Sequence, residues 1–154
     1  MRILRVAQHL YPDMKGGGQY HVHAMSRDQA AMGHDVTVLT TRVDESLPRV
    51  EETHGYAVVR VSPGISTLGN DVSPAVARVL WSADADDYDV IHAHSNLYFS
   101  TNLAALKARL GDIPLAITNH GLYSQSAPER VFRWCLLLRT DSFSIMDYRG
   151  QYGA

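Results

Sequence analysis

Cysteine is almost absent from this chain, and long hydrophobic runs are missing. Cys135 is the single cysteine, which excludes a disulfide bond within the chain, and its apolar neighbours predict a buried, unreactive thiol. No apolar run reaches the ~18 residues that a transmembrane helix needs, and no signal-peptide core follows Met1. These absences predict a cytoplasmic protein and leave only peripheral contact with a membrane open.

An excess of positive charge is also missing. The 14 Lys and Arg residues are outnumbered by 16 Asp and Glu, and the formal net charge is −2. Because nucleic-acid binding depends on neutralising phosphates with basic side chains, a nucleic-acid partner is not expected. Hydrophobic residues make up 45% and charged residues 19%, as in an ordinary globular protein. A length of 154 residues suits one domain.

Short apolar runs alternate with helical patterns along the chain. The runs that predict strands span 3–7, 36–41, 56–61, 89–93 and 115–118. The predicted helices span 19–32, 74–81, 99–110 and, after a capping-box pattern at Ser126, 131–138. Strands that alternate with helices predict an α/β fold with a parallel sheet covered by helices on both faces.

Large side chains at helical spacing predict which helix faces are buried. In the first helix these are Val22, Met25, Gln29 and Met32, and in the third they are Phe99, Leu103, Leu106 and Leu110. From Asp141 onward neither a helical nor a strand period is visible. The sequence therefore predicts a domain over 1–140 and an irregular tail over 141–154.

Three polar motifs follow or end predicted strands. They are Gly-Gly-Gly-Gln at 16–19, His-Ala-His-Ser at 92–95 and Thr-Asn-His-Gly at 118–121. Because ligands of α/β proteins bind at the carboxyl ends of the strands, the three motifs are expected to meet there. Glycines let the backbone approach a ligand closely, and a helix start favours an anion. The run is neither a dinucleotide fingerprint, since His21 stands at the third glycine position, nor a P-loop.

The histidines of these motifs allow two interpretations. His92 and His94 are two residues apart on a strand, so they point to the same face, and with His120 they could bind a metal ion as in a hydrolase. No carboxylate or cysteine accompanies them at a usual ligand spacing, and no metal cofactor is expected. In the other interpretation, His120 forms a hydrogen bond with a sugar hydroxyl or acts in acid–base chemistry.

Together with Gly33-His34-Asp35 and the strand that follows, the three motifs resemble family 4 retaining glycosyltransferases, in the same order along the chain. The resemblance covers residues 1–140. It implies the GT-B architecture, in which two Rossmann-like domains face each other across a cleft. The chain resembles the amino-terminal, acceptor-side domain, so the expected fold is a single Rossmann-like α/β domain.

The resemblance also implies roles for five residues. Gly16 and Gly17 match glycines that lie near the donor diphosphate. Gln19 matches a residue that helps to hold the acceptor, and His94 is expected to line the same cleft. His120 matches the histidine that contacts the donor sugar near the reaction centre, and it is the catalytic candidate. The implied donor is a nucleotide-sugar that serves as co-substrate, sugar configuration is retained, and the acceptor is unidentified.

The family's carboxyl-terminal domain, which carries the nucleotide pocket, has no counterpart in this sequence. The chain is therefore expected to be a truncated enzyme that is inactive unless a separate donor domain completes it. The alternative is a binding module, a Rossmann-like domain that holds a small ligand or a partner without catalysis.

Overall fold

A computed structural model describes residues 1–67, 69–83 and 87–120 and the strand Phe143–Asp147. The strands in this part of the chain are β1 Arg2–Val6, β2 Asp35–Thr41, β3 Val50–Thr53, β4 Tyr56–Val61, β5 Ile65–Thr67, β6 Asn70–Val72, β7 Val90–His94, β8 Leu115–Asn119 and β9 Phe143–Asp147. The helices are α1 Gly17–Ala31, α2 Pro74–Ser82 and α3 Phe99–Leu110. None of these helices is long and apolar enough to cross a bilayer. The helix predicted over 131–138 lies outside the described residues.

One sheet of seven strands runs in the order β3-β4-β2-β1-β7-β8-β9. Its neighbours pair in parallel except β3, which is antiparallel to β4. From β1 the chain moves through α1 to β2 on one side, whereas β7 leads through α3 to β8 on the other. The strand order therefore reverses between β1 and β7, which is where α/β sheets form their binding crevices. The predicted mainly parallel α/β sheet is confirmed.

Helices cover both faces of this sheet, as predicted. Successive strand residues point to opposite faces, and β1 contributes to two separate apolar cores. Ile3 lies in the core that includes Val22 of α1. Leu4 lies in the other core, together with Leu80 of α2 and Ala104 of α3. Each face of the sheet is thereby shielded from water by its own helices.

The predicted buried face of α3 is confirmed for Leu103, which packs against the core, and is wrong for Leu106 and Leu110. The residues that α3 buries are Ser100, Thr101, Ala104 and Ala108. Leu106 and Leu110, expected in the core, are exposed, Leu110 to 67%. Small side chains let a helix approach a sheet closely, so the bulkier Leu106 and Leu110 lie on its outer side.

The buried face of α1 is more polar than predicted. It buries Val22, His23 and Ser26, while Met32 at its end is 72% exposed. The cause lies in the strand beneath, where Arg5 of β1 points toward α1 and its guanidinium donates a hydrogen bond to Ser26 Oγ at 2.6 Å. A buried donor needs an acceptor, and the helix supplies one.

Four short strands, β3, β5, β6 and β9, have no counterpart among the predicted ones. β5 and β6 form a separate two-stranded hairpin. β9 lies in the segment 141–154, and the prediction that this segment is irregular throughout is wrong for the five residues of β9, which pair in parallel with β8. Strands of three to five residues are defined by their pairing partners, and their own periodicity is too short to show.

Gly64 is the position where the hairpin is most sensitive to substitution. Its φ is +71°, and an added Cβ would lie 2.3 Å from the Val72 carbonyl oxygen. We expect Gly64→Ala to lower the free energy of unfolding by about 3 kcal/mol, measured by urea denaturation. Gly69, with φ +75° and no atom within 4 Å of an added Cβ, is the matched control, and Gly69→Ala should cost about 1 kcal/mol. Equal losses in the two variants would contradict the clash.

Candidate functional site

A cleft opens at the carboxyl edge of the sheet, where β1 and β7 lie side by side. Its volume is about 110 Å³, below the roughly 300–1,000 Å³ of pockets that enclose a small molecule. The cleft is lined by Ala7, Gln8, His9, Gly18, Gln19, Val22, His94, Ser95, Tyr98 and His120. The three polar motifs thus meet as predicted, around one wall of an open site.

The residues singled out in the sequence take different places at this site. Gln19, His94 and His120 line the cleft directly. Gly16 and Gly17 are the N-cap and first residue of α1, directly before the lining residues Gly18 and Gln19. Gly18 lines the cleft although no role was predicted for it, and a Cβ added there would lie 3.5 Å from the His120 ring. The backbone of α1 therefore comes close to His120 at this point.

The amino terminus of α1 carries N–H groups that no hydrogen bond within the helix uses. Gly16 forms no side-chain cap, and the first turn contains no acidic residue. The first intrahelical donor is Tyr20, whose N–H bonds the Gly16 carbonyl oxygen at 2.9 Å. The N–H groups before it have no partner within the helix. With the helix dipole, they favour an anion beside the cleft.

His94 and His120 form a coupled pair. His94 Nδ1 and His120 Nε2 are 2.8 Å apart, and the two ring planes lie within 3° of parallel. His94 is 2% exposed, and the His92 ring stacks on it with 4.5 Å between centroids. The predicted common face of His92 and His94 is confirmed. His120 is thereby held in one orientation by a buried partner.

Arg5 and His92 support this pair from beneath. Arg5 is fully buried, and besides Ser26 it donates to Gln29 Oε1 and lies 3.4 Å from His92 Nδ1. The other nitrogen, His92 Nε2, lies 2.9 Å from Thr118 Oγ1. Both ring nitrogens of His92 are therefore engaged. An arginine in a first strand gives no sign in the sequence that it is buried, so this network was missed.

The environment of the histidines at the cleft keeps them neutral. Burial, followed by the positive charge of Arg5, lowers the pKa of His92 to about 4. Burial is also the main cause that lowers the pKa of His94, His120 and His21. A neutral imidazole offers one N–H donor and one acceptor nitrogen. At neutral pH the cleft therefore presents hydrogen-bonding groups rather than positive charges.

The histidines that could hold a metal ion are not the predicted set. Within the described residues, His21, His94 and His120 each place one ring nitrogen within 4.8 Å of the others. His92 belongs to no such group there, because its nitrogens face Thr118 and Arg5. His21 was considered only as a residue that replaces a glycine. Its position one helical turn after Gly17 is the signal that could have placed it at the cleft.

Gln8, two residues after the end of β1, connects the β5–β6 hairpin to the cleft. Gln8 Nε2 donates to the Gly69 carbonyl oxygen at 2.9 Å, and Gln8 Oε1 accepts from the Asp71 N–H at 3.2 Å. The Thr41 hydroxyl lies 2.7 Å from the Asp71 carboxylate. The hairpin is therefore fastened beside the site by polar contacts. The pair Gln8-His9 was also missed, although polar residues at the end of a first strand are a usable signal.

Comparison with known proteins identifies the family. A profile of Glycosyltransferase Family 4 matches residues 15–144. Glycogen synthase of Mycobacterium tuberculosis is 32% identical over 140 residues, which cover 78% of this chain and 33% of the relative. The chain thus spans 33% of the length of that curated relative.

Solved structures show the same fold. A sucrose-phosphate synthase of Thermosynechococcus elongatus superimposes with a TM-score of 0.66 at 17% identity, covering 96% of this chain and 77% of that one. HepE of Anabaena, in complex with UDP-glucose, gives 0.55 at 16% identity over 94% and 43% of the two chains. At these identities the likeness establishes the fold, a Rossmann-like part of the GT-B architecture. Because the family profile matches most of this chain, the chain belongs to glycosyltransferase family 4.

Proposed function

We propose that this chain is the acceptor-side half of an enzyme that transfers a sugar from a nucleotide-sugar to an acceptor with retention of configuration. One observation carries the proposal: the first turn of α1 meets His94 and His120 at the carboxyl edge of the sheet, where β1 and β7 lie side by side. Sugar transfer from such a donor needs an anion site for the diphosphate and hydrogen-bonding groups for the sugar. Retention is inferred from family membership.

The donor diphosphate is assigned to the start of α1. The N–H groups of the first turn, which have no partner within the helix, favour an anion beside Gly16 and Gly17. HepE, which shares the fold, was solved with UDP-glucose, so nucleoside-diphosphate sugars are the donor class to test first. Within the proposed reaction the nucleotide-sugar is a co-substrate, and no metal cofactor takes part.

His120 is assigned to the donor sugar near the reaction centre. Its neutral ring, held by His94, can exchange hydrogen bonds with a sugar hydroxyl without the cost of moving a charge. Gln19 and His94 are assigned to the acceptor side of the cleft. The β5–β6 hairpin, tied beside them by Gln8, supplies further contacts that select the acceptor.

The proposed site is completed by a second domain. The cleft of about 110 Å³ is open and too small to enclose a nucleotide-sugar. The family places the nucleotide pocket on a separate domain, so turnover by this half requires a donor domain, either attached or supplied separately. The cytoplasmic location and any peripheral membrane contact stay predictions.

Reconstitution tests the proposal. The chain is mixed with the part of the M. tuberculosis glycogen synthase that it does not match, and uridine- and adenosine-diphosphate sugars are offered with a series of oligosaccharides. We expect glycosylated product by mass spectrometry and release of nucleoside diphosphate only when both parts are present. NMR of the product then reports the anomeric configuration. Tight donor binding by the mixture without product for any acceptor would favour the binding module instead.

A further inference from the structure

His21, His94 and His120 form a compact cluster built from three separate elements, α1, the end of β7 and the residue after β8. One ring nitrogen of each lies within 4.8 Å of the others. We propose that this cluster binds a transition-metal ion of the Zn²⁺ class through its three imidazoles, and that the bound ion competes with the sugar for His120. The binding itself is independent of the proposed function, and only the competition rests on it.

The cluster has coordinating capacity that its internal hydrogen bonds do not use. In the part of the chain that the structure describes, His21 Nδ1 is a buried side-chain atom with no hydrogen-bond partner. Buried polar atoms are nearly always paired, so an unpaired nitrogen beside His94 and His120 calls for a ligand. Imidazole nitrogens suit Zn²⁺, Cu²⁺ and Ni²⁺, whereas Mg²⁺ and Ca²⁺ require oxygen ligands.

The geometry requires the separations between ligand nitrogens to change by about 1.5 Å at most, because the three nitrogens lie within 4.8 Å of one another. Tetrahedral Zn²⁺ with bonds of about 2.0–2.1 Å places its ligand nitrogens about 3.3 Å apart. His94 Nδ1 and His120 Nε2 are 2.8 Å apart around the proton they share. When an ion takes its place, the proton moves to the other nitrogen of the ring that carries it, and the pair opens by about half an ångström. The stacked ring of His92 supports His94 from behind. A fourth position facing the cleft is left to water or substrate.

Two features limit the affinity. The three ligands are neutral, and the buried charge of Arg5 lies behind His92, where it repels a dication. We therefore expect binding in the micromolar range rather than the tight binding of a structural zinc site. Such an affinity fits reversible inhibition: an ion on His120 removes the hydrogen-bonding group that the donor sugar is proposed to use.

Titration of the 154-residue chain tests the site. Co²⁺ is added at pH 7.5 and followed by its visible absorption, and Zn²⁺ binding is measured by calorimetry. We expect one equivalent per chain and bands of tetrahedral Co²⁺. His21→Ala and the bulkier His21→Gln should each weaken binding at least tenfold. His34→Ala is the matched control, because His34 contacts the chain amino group at the opposite end of β1 and should leave binding unchanged.

The outcomes separate this inference from the proposed function. No saturable binding, or binding that both His21 variants leave unchanged, overturns the metal site whatever the reconstituted enzyme does. Binding by this cluster together with full transfer activity at saturating Zn²⁺ overturns the competition. Failure of the transfer assay alone contradicts the proposed function and leaves the Co²⁺ spectrum to decide the site.

Discussion

Replacing His120 by alanine should lower the rate of sugar transfer by about 100-fold or more in the reconstituted enzyme. Loss of one positioned hydrogen-bonding group at a reaction centre costs roughly 10²–10³ in rate, and general acid–base catalysis contributes 10²–10⁴. His120 is held by His94 Nδ1 at 2.8 Å, so its ring is positioned before substrate arrives. Steady-state rates at saturating donor and acceptor measure the loss.

Two comparisons make this test specific. His34→Ala removes a histidine from the opposite edge of the sheet and should keep the rate within a factor of about two, as expected for a surface change far from the site. His120→Asn keeps a hydrogen-bonding group and should recover part of the rate. A His120→Ala enzyme with wild-type rate and an unchanged urea midpoint would show that the assigned role is wrong.

The stability of the chain should fall steeply as the pH drops below 6.5. The pKa of His92 is about 4 in the folded chain, against 6.5 for an ordinary histidine. Between these values the unfolded chain binds a proton that the folded chain does not. Stability is therefore fully present above pH 6.5 and is lost as the pH falls toward 4. His92 alone should account for about 2 kcal/mol between pH 7 and pH 5.

Urea unfolding at pH 7 and pH 5, in buffer containing EDTA, measures this loss. His21, His94 and His120 also have lowered pKa values and act in the same direction. His92→Gln removes one titrating group while keeping a polar contact for Thr118, so its two stabilities should lie closer together than those of the wild type. Identical pH dependence in the two proteins would show that His92 is not a source of the acid lability.

The sheet edge was predictable because its evidence is local. Five strands and the meeting of the three motifs follow from apolar runs and from the rule that parallel strands end at one edge. The buried network was not predictable in the same way. Arg5 is fully buried, yet an arginine in a strand is expected at the surface. Its burial depends on acceptors contributed by α1 and β7, which lie far away in the sequence.

The predicted buried faces of the helices were partly wrong for a related reason. Leu106 and Leu110 of α3 were expected in the core because they are large and apolar, but they are exposed. The residues that the helix buries are Ser100, Thr101, Ala104 and Ala108. How closely a helix approaches a sheet is a tertiary property and leaves no mark in helical periodicity. The place of His21 at the cleft was not predicted, because residue 21 was compared only with the third glycine of the dinucleotide fingerprint. The contacts that a histidine makes at that position depend on β7 and on the residue after β8, which lie far away in the sequence.

The hairpin β5–β6 is a separate two-stranded unit, fastened at the cleft by Gln8 through Gly69 and Asp71. Its backbone is not part of the main sheet, so its sequence can change without altering the register of any core strand. Under the proposed function, exchanging residues 65–72 with those of a relative, while Gln8 and Asp71 are kept, is therefore expected to change acceptor preference. The pairing of the seven-stranded sheet would be kept while the residues beside the cleft change.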